Sequence, residues 1–116
     1  FVVRVLVQIA QESAEKQDYG AAAIYWRRAA VQHPERESYH FNFAIALQRQ
    51  GKLEEALVPL REAVRLRPDS PSYHLRLAQV LYRLGRKEEA KEVAQRVLVL
   101  DPHNQAAQKL IEQIGE

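Results

Sequence analysis

Residues 37–70, ESYHFNFAIALQRQGKLEEALVPLREAVRLRPDS, and residues 71–104, PSYHLRLAQVLYRLGRKEEAKEVAQRVLVLDPHN, are two copies of one pattern. Aligned without a gap, they share Ser38 with Ser72, Tyr39 with Tyr73, His40 with His74, Ala44 with Ala78, Leu47 with Leu81, Arg49 with Arg83 and Gly51 with Gly85. The match continues through Glu54-Glu55-Ala56 and Glu88-Glu89-Ala90 to Leu66 with Leu100 and Pro68 with Pro102. Stepping back by the same 34 residues reaches Pro34, so a third copy occupies 3–36, and a partial fourth begins at Gln105. Self-similarity at a fixed period of this size marks a repeat architecture, in which stacked neighbours supply the core that one unit lacks.

Each copy reads as two helices. Phe43, Ala44 and Leu47, then Ala56, Leu60, Ala63 and Val64, recur at the three-and-four spacing of an amphipathic helix. Gly51 falls between the two runs, where a helix end needs the left-handed conformation, and Pro68 closes the second run because the residue before a proline leaves the helical region. Ser70 is placed to cap the next helix, with Pro71 in its first turn, and Asn104 to cap the last. The spacing predicts seven helices, near 2–16, 19–32, 37–50, 53–66, 71–84, 87–100 and 105–114. The opening FVVRVLVQIA is read as a buried helix, although Val2, Val3, Val5 and Val7 leave a strand as the alternative.

Small residues recur at three places: Ala10, Ala44 and Ala78; Ala22, Ala56 and Ala90; Ala29 and Ala63, with Val97 in the last copy. A methyl-sized side chain lets helix axes approach to the short end of the roughly 8–10 Å range. These positions are therefore expected to be helix crossings.

The composition narrows the functional classes. With 116 residues the chain is expected to form one domain, 1–116, and with Phe at position 1 and no methionine it is expected to be a piece of a longer protein. The formal charge is only +2, with no basic stripe for displacing phosphate counterions, so nucleic acid is not an expected partner. The chain has no cysteine, which excludes disulfides, thiolate nucleophiles and cysteine metal sites. The first apolar stretch is far shorter than the roughly 20 residues of a membrane span and is broken by Arg4, so direct membrane insertion is not expected. No residue pattern names a compartment, and a cytoplasmic one is the default expectation.

Chemistry is sparse. His40 and His74 are equivalent, but neither has an acidic or histidine neighbour at the i+4 spacing of a helical zinc pair, so both are read as packing groups that hydrogen-bond locally. Glu54-Glu55 and Glu88-Glu89 open second helices, where carboxylates suit the helix dipole. There is no phosphate loop and no nucleophile paired with a base, so neither an enzyme, nor a metal, nor a cofactor is expected. Arg27-Arg28, Arg61, Arg65 and Arg67 on second helices are read as a solvated face.

A 34-residue helix–turn–helix unit with small residues at its positions 8, 20 and 27, glycine at 15 and proline at 32 resembles the tetratricopeptide repeat. The resemblance covers essentially the whole chain. It implies an all-α, right-handed solenoid of three repeats, 3–36, 37–70 and 71–104, closed by a capping helix at 105–114. Three departures stand out: Gln17 replaces the turn glycine, His40 and His74 replace the family's frequent Trp or Leu (Leu6 in the first unit), and Pro59 lies inside a helix, where a local bend is expected.

In such a stack the first helices line a concave face that binds proteins or peptides. The resemblance places Arg4, Val7, Gln11, Ala14 and Glu15 there from the first unit, and Ser38, Phe41, Asn42, Ile45, Gln48 and Arg49 from the second. The third unit contributes Ser72, Leu75, Arg76, Gln79, Tyr82 and Arg83, and Lys109 closes the far end. Phe41, Ile45, Leu75 and Tyr82 are apolar groups that no helix-packing role demands at those positions, and Arg49, Arg76 and Arg83 beside them carry forked donors suited to carboxylates. The expected ligand is a peptide or partner helix with apolar anchors and acidic neighbours. Relatives that grip the acidic tails of heat-shock chaperones use five positions, of which Asn42 and Arg76 match while Val7, Gln11 and Ser72 do not, arguing against a chaperone-tail receptor. The alternative function is self-assembly, a homo-oligomer formed through an apolar repeat end that includes Phe1, Val2, Val3 and Leu6.

Overall fold

The computed structural model describes residues 2–115. Seven helices follow one another: α1 (Val3–Glu15), α2 (Tyr19–Gln32), α3 (Glu37–Arg49), α4 (Leu53–Leu66), α5 (Pro71–Arg83), α6 (Lys87–Leu100) and α7 (Gln105–Gly115). The first stretch is helical, so the strand alternative does not hold. Each helix packs chiefly on its neighbours in sequence, and the result is an α-solenoid of 47 × 25 × 20 Å.

The turns inside the three repeats are built alike. Gly51 and Gly85 have φ of +79° and +82°, and Gln17 adopts +62° at the equivalent place. In each, the residue at positive φ donates its N–H three residues back (Gln17 to Ala14, Gly51 to Gln48, Gly85 to Tyr82). The following N–H reaches five back (Asp18 to Ser13, Lys52 to Leu47, Arg86 to Leu81). This is the paired hydrogen bonding that closes a helix through a left-handed residue. The first repeat thus keeps the turn although its side chain works against the backbone.

The starts of α5 and α7 follow the sequence reading. Ser70 Oγ accepts from the N–H of Tyr73 at 3.4 Å, and Asn104 Oδ1 accepts from Ala107 at 2.9 Å. Asp18, which the sequence reading passed over, caps α2 by accepting from Ala21 at 3.1 Å. Helix α4 runs unbroken through Pro59, whose ring is buried.

The small residues are sealed between the helices. Ala10, Ala29, Ala44, Ala56, Ala63, Ala78, Ala90 and Val97 have no exposed surface, and Ala22 is 1% exposed. Leu57, Leu60, Leu77, Val80 and Leu81 belong to the main core, and Ala78, Ala94 and Leu110 form a smaller one beneath α7. Trp26 on α2 meets Tyr39 on α3 across the first repeat junction, ring centroids 6.0 Å apart. His40 and His74 hydrogen-bond nearby, to the carbonyls of Pro34 and Pro68.

Candidate peptide-binding face

Some of the predicted inner positions line two hollows, while Arg4, Val7, Ser38, Phe41, Arg49, Ser72, Leu75 and Arg76 line neither. The first lies between α1 and α3, with Gln11, Ala14 and Glu15 on one wall and Asn42, Ile45 and Ala46 on the other. Its floor comes from α2, through Tyr19, Ala22 and Trp26. Those second-helix residues were not expected from sequence, which points to first helices alone. The second hollow is lined by Gln48 from α3, by Gln79, Tyr82 and Arg83 from α5, and by Lys109 and Gln113 from α7.

Arg49 and Arg76 stand apart from both linings. Arg49 lies over the ring of Tyr19 at 5.8 Å. Arg76 is partly buried and makes a long 3.5 Å contact to Gln48 Oε1. Burial, and then repulsion from Arg49, pull the Arg76 guanidinium below its ordinary value. The ion pairs among the described residues, Arg61–Glu89, Arg65–Glu62, Arg67–Glu37, Arg86–Glu54 and His33–Glu35, leave Arg49, Arg76 and Arg83 without a carboxylate within 4 Å.

The apolar inner positions are less available than the sequence implied. Phe41 stacks on Tyr73, ring centroids 4.5 Å apart, and with Val7 and Tyr82 it packs against the core. Helix packing therefore does use Phe41 and Tyr82, contrary to the expectation that no packing role demands them, and it uses Val7 as well. Ile45 and Leu75 are partly exposed.

The N-terminal end divides differently from the sequence reading. Val2 is 64% exposed and Val3 partly so, whereas Leu6 is 1% exposed and belongs to the core. Phe1 lies outside the described residues. Val5, 42% exposed, completes the open surface and stands where Tyr39 and Tyr73 stand in later repeats.

Among the described residues no three His, Cys, Asp or Glu side chains gather into a metal-holding group, and no helix is long and apolar enough to cross a membrane.

A family model described as the cilia and flagella-associated protein 70 middle TPR-like domain matches residues 6–113. Among curated proteins, none matches. Among solved structures, the chain resembles the first TPR of Spaghetti (RPAP3) bound to the HSP90 peptide SRMEEVD, at 25% identity and a TM-score of 0.90, covering 97% of this chain and 90% of that one. The first TPR domain of human RPAP3 matches at 25% identity and a TM-score of 0.86, over 97% and 89% of the two chains. The Yersinia enterocolitica type III secretion chaperone SycD, in complex with a peptide of the translocator YopD, shares the fold at 14% identity and a TM-score of 0.89, over 97% and 91%.

Proposed function

Because the chain belongs to the family of the cilia and flagella-associated protein 70 middle TPR-like domain, a tetratricopeptide fold, we propose that it is a protein-interaction scaffold whose concave face holds a segment of a partner protein. Structural neighbours that hold chaperone or translocator peptides support that general role. The observation that carries the reading is the Arg49–Arg76 pair. Two guanidiniums repel each other, one of them partly buried, with no carboxylate within 4 Å among the described residues. A half-buried guanidinium beside a second one gains from an opposite charge, and its forked donor is matched by a carboxylate. The ligand is therefore an extended or helical segment with acidic residues over Arg49, Arg76 and Arg83 and an apolar side chain against Ile45. Chaperone tails fit poorly, since Val7, Gln11 and Ser72 leave the clamp without its lysines.

The test is a display library of short peptides selected on the protein, with Trp26, the only tryptophan and part of the first hollow's floor, as the fluorescent reporter. Selected peptides should be rich in Asp and Glu and lose at least about tenfold in affinity (about 1.4 kcal/mol) against Arg76→Glu. Equal binding to the variant would remove the concave assignment. Arg76→Glu is preferred to Phe41→Ala, which would also disturb the Tyr73 contact.

A second reading, self-association, rests on the open Val2 and Val5 surface. Sedimentation velocity over a wide concentration range decides it: a Val5→Glu variant should dissociate any oligomer, and a monomer at all concentrations rejects the idea.

A further inference from the structure

The two repeat junctions can be compared position by position, and on the outer side they differ. Between the second and third repeats, Arg61 on α4 pairs with Glu89 on α6 at 2.9 Å, and Glu54 pairs with Arg86 at 2.6 Å. One repeat earlier those four places hold Arg27, Glu55, Gly20 and Lys52. Gly20 has no side chain to meet Lys52, and Arg27 and Glu55 line the same groove without coming within 4 Å. The later junction is bridged by charge; the earlier one is not.

The apolar residues change in the same direction. Val31 and Val58, 73% and 74% exposed, occupy the places that Arg65 and Glu92 hold one repeat later. The floor follows suit, since His40 and Phe43 are partly exposed where His74 and Leu77 are buried. The outcome is an apolar groove between α2 and α4, running along Val31, Phe43, Val58 and Pro59, with Arg27 standing in its length and Glu62, already paired with Arg65, at its edge. Water favours the charged version of this surface, which the same chain builds one repeat away.

We propose that this groove is a second docking site, taking an amphipathic helix from a partner protein. Its apolar stripe packs on Val31, Phe43 and Val58, and its flank offers a carboxylate to Arg27. Charge complementarity selects that occupant. The equivalent arginine, Arg61, already has its carboxylate in Glu89, and Arg27 has none within 4 Å among the described residues. A helix laid against the valines brings Arg27 the carboxylate that Glu55, which holds the place of Glu89, does not supply within 4 Å. The site uses the other side of α3 from Asn42 and Ile45, so it does not depend on the concave reading.

Two synthetic helical peptides of about 18 residues test it, both with leucine at i, i+4, i+7 and i+11, one with glutamate and the other with lysine on the flanks. Methyl NMR on the 116-residue protein reads the site directly. The glutamate peptide should shift Val31 and Val58 and bind at least about tenfold more tightly than the lysine peptide. Arg27→Glu should reverse that order. The double variant Val31→Arg with Val58→Glu copies the residues of the later junction, so it should keep its helical circular dichroism and lose the peptide. The proposal is overturned by an absence of shifts at Val31 and Val58 at the highest soluble concentration, by shifts confined to Ile45 and the concave hollows, or by equal binding of both peptides. It is also overturned if the double variant turns a dimer into a monomer, which would make a second copy of this chain the occupant.

Discussion

His74 donates from Nε2 to the carbonyl of Pro68 at 2.8 Å, closing the loop that joins the second and third repeats. A carbonyl can only accept, so the proton must sit on Nε2. His40 makes the same six-residue step to Pro34 at 2.9 Å, and Gln108 makes it from Nε2 to Pro102 at 3.1 Å. Three successive loops are therefore closed by an N–H donor on the fourth residue of the following helix.

The donor, more than the ring, should matter. His74→Gln is expected to stay within about 0.5 kcal/mol of the parent in urea unfolding, while His74→Leu should lose roughly 1 kcal/mol by leaving the Pro68 carbonyl without its partner. Equal losses in both would show that the imidazole acts by packing.

Gln17 holds a left-handed φ of +62° at the place where the other repeats use glycine. Gln17→Gly should relieve strain of about 1–2 kcal/mol, offset by the greater freedom that glycine gives the unfolded chain. A net gain of about 0.5–1 kcal/mol, seen as a higher melting temperature, is expected. A loss of stability would mean that the glutamine side chain contributes something its backbone does not reveal.

Ala56 is fully buried. Ala56→Leu should overpack it and cost about 1–3 kcal/mol, measured as a lower urea midpoint with little change in slope. A neutral result would show that α3 and α4 can separate without loss.

Burial, and then the nearby Glu37 carboxylate, hold the Tyr73 hydroxyl above its ordinary value, against a smaller opposing pull from Arg67. Below about pH 9 the group is protonated whether the chain is folded or not, and it makes no difference to stability. As pH climbs through the unfolded-state value near 10, the unfolded chain sheds the proton first. Stability should therefore fall with rising pH until the folded-state value is passed. Tyr73→Phe should flatten this alkaline limb, and an unchanged limb would assign it to other groups.

The fold was legible because 34-residue periodicity and helical periodicity agree. Gly51, Gly85, Pro34, Pro68 and Pro102 mark the boundaries, and the alanines mark the sealed positions between helices. All seven predicted helices are present, with bounds within a residue or so. The candidate site was legible only in part. Helix periodicity shows which side a residue faces but not what the next repeat brings against it, so the contact of Phe41 with Tyr73 and the burial of Leu6 were missed. The outer groove was written in the sequence too. It lies in the differences between copies, Val31 against Arg65 and Val58 against Glu92, and not in the residues they share.

Extensive contacts in the chain join helices that are neighbours in sequence, apart from a small meeting of α5 with α7. Such a molecule has no clasp between its two ends, and tension has a defined way to act on it. A pull on the termini would peel away hairpins in order instead of breaking one global core. The junctions are unequal: α2 packs on α3 more extensively than α4 on α5, and Gln50 adds a hydrogen bond to the Tyr19 carbonyl across the first. The exposed Arg61–Glu89 and Glu54–Arg86 pairs offset little of that difference, so the seam between α4 and α5 would part before the one between α2 and α3.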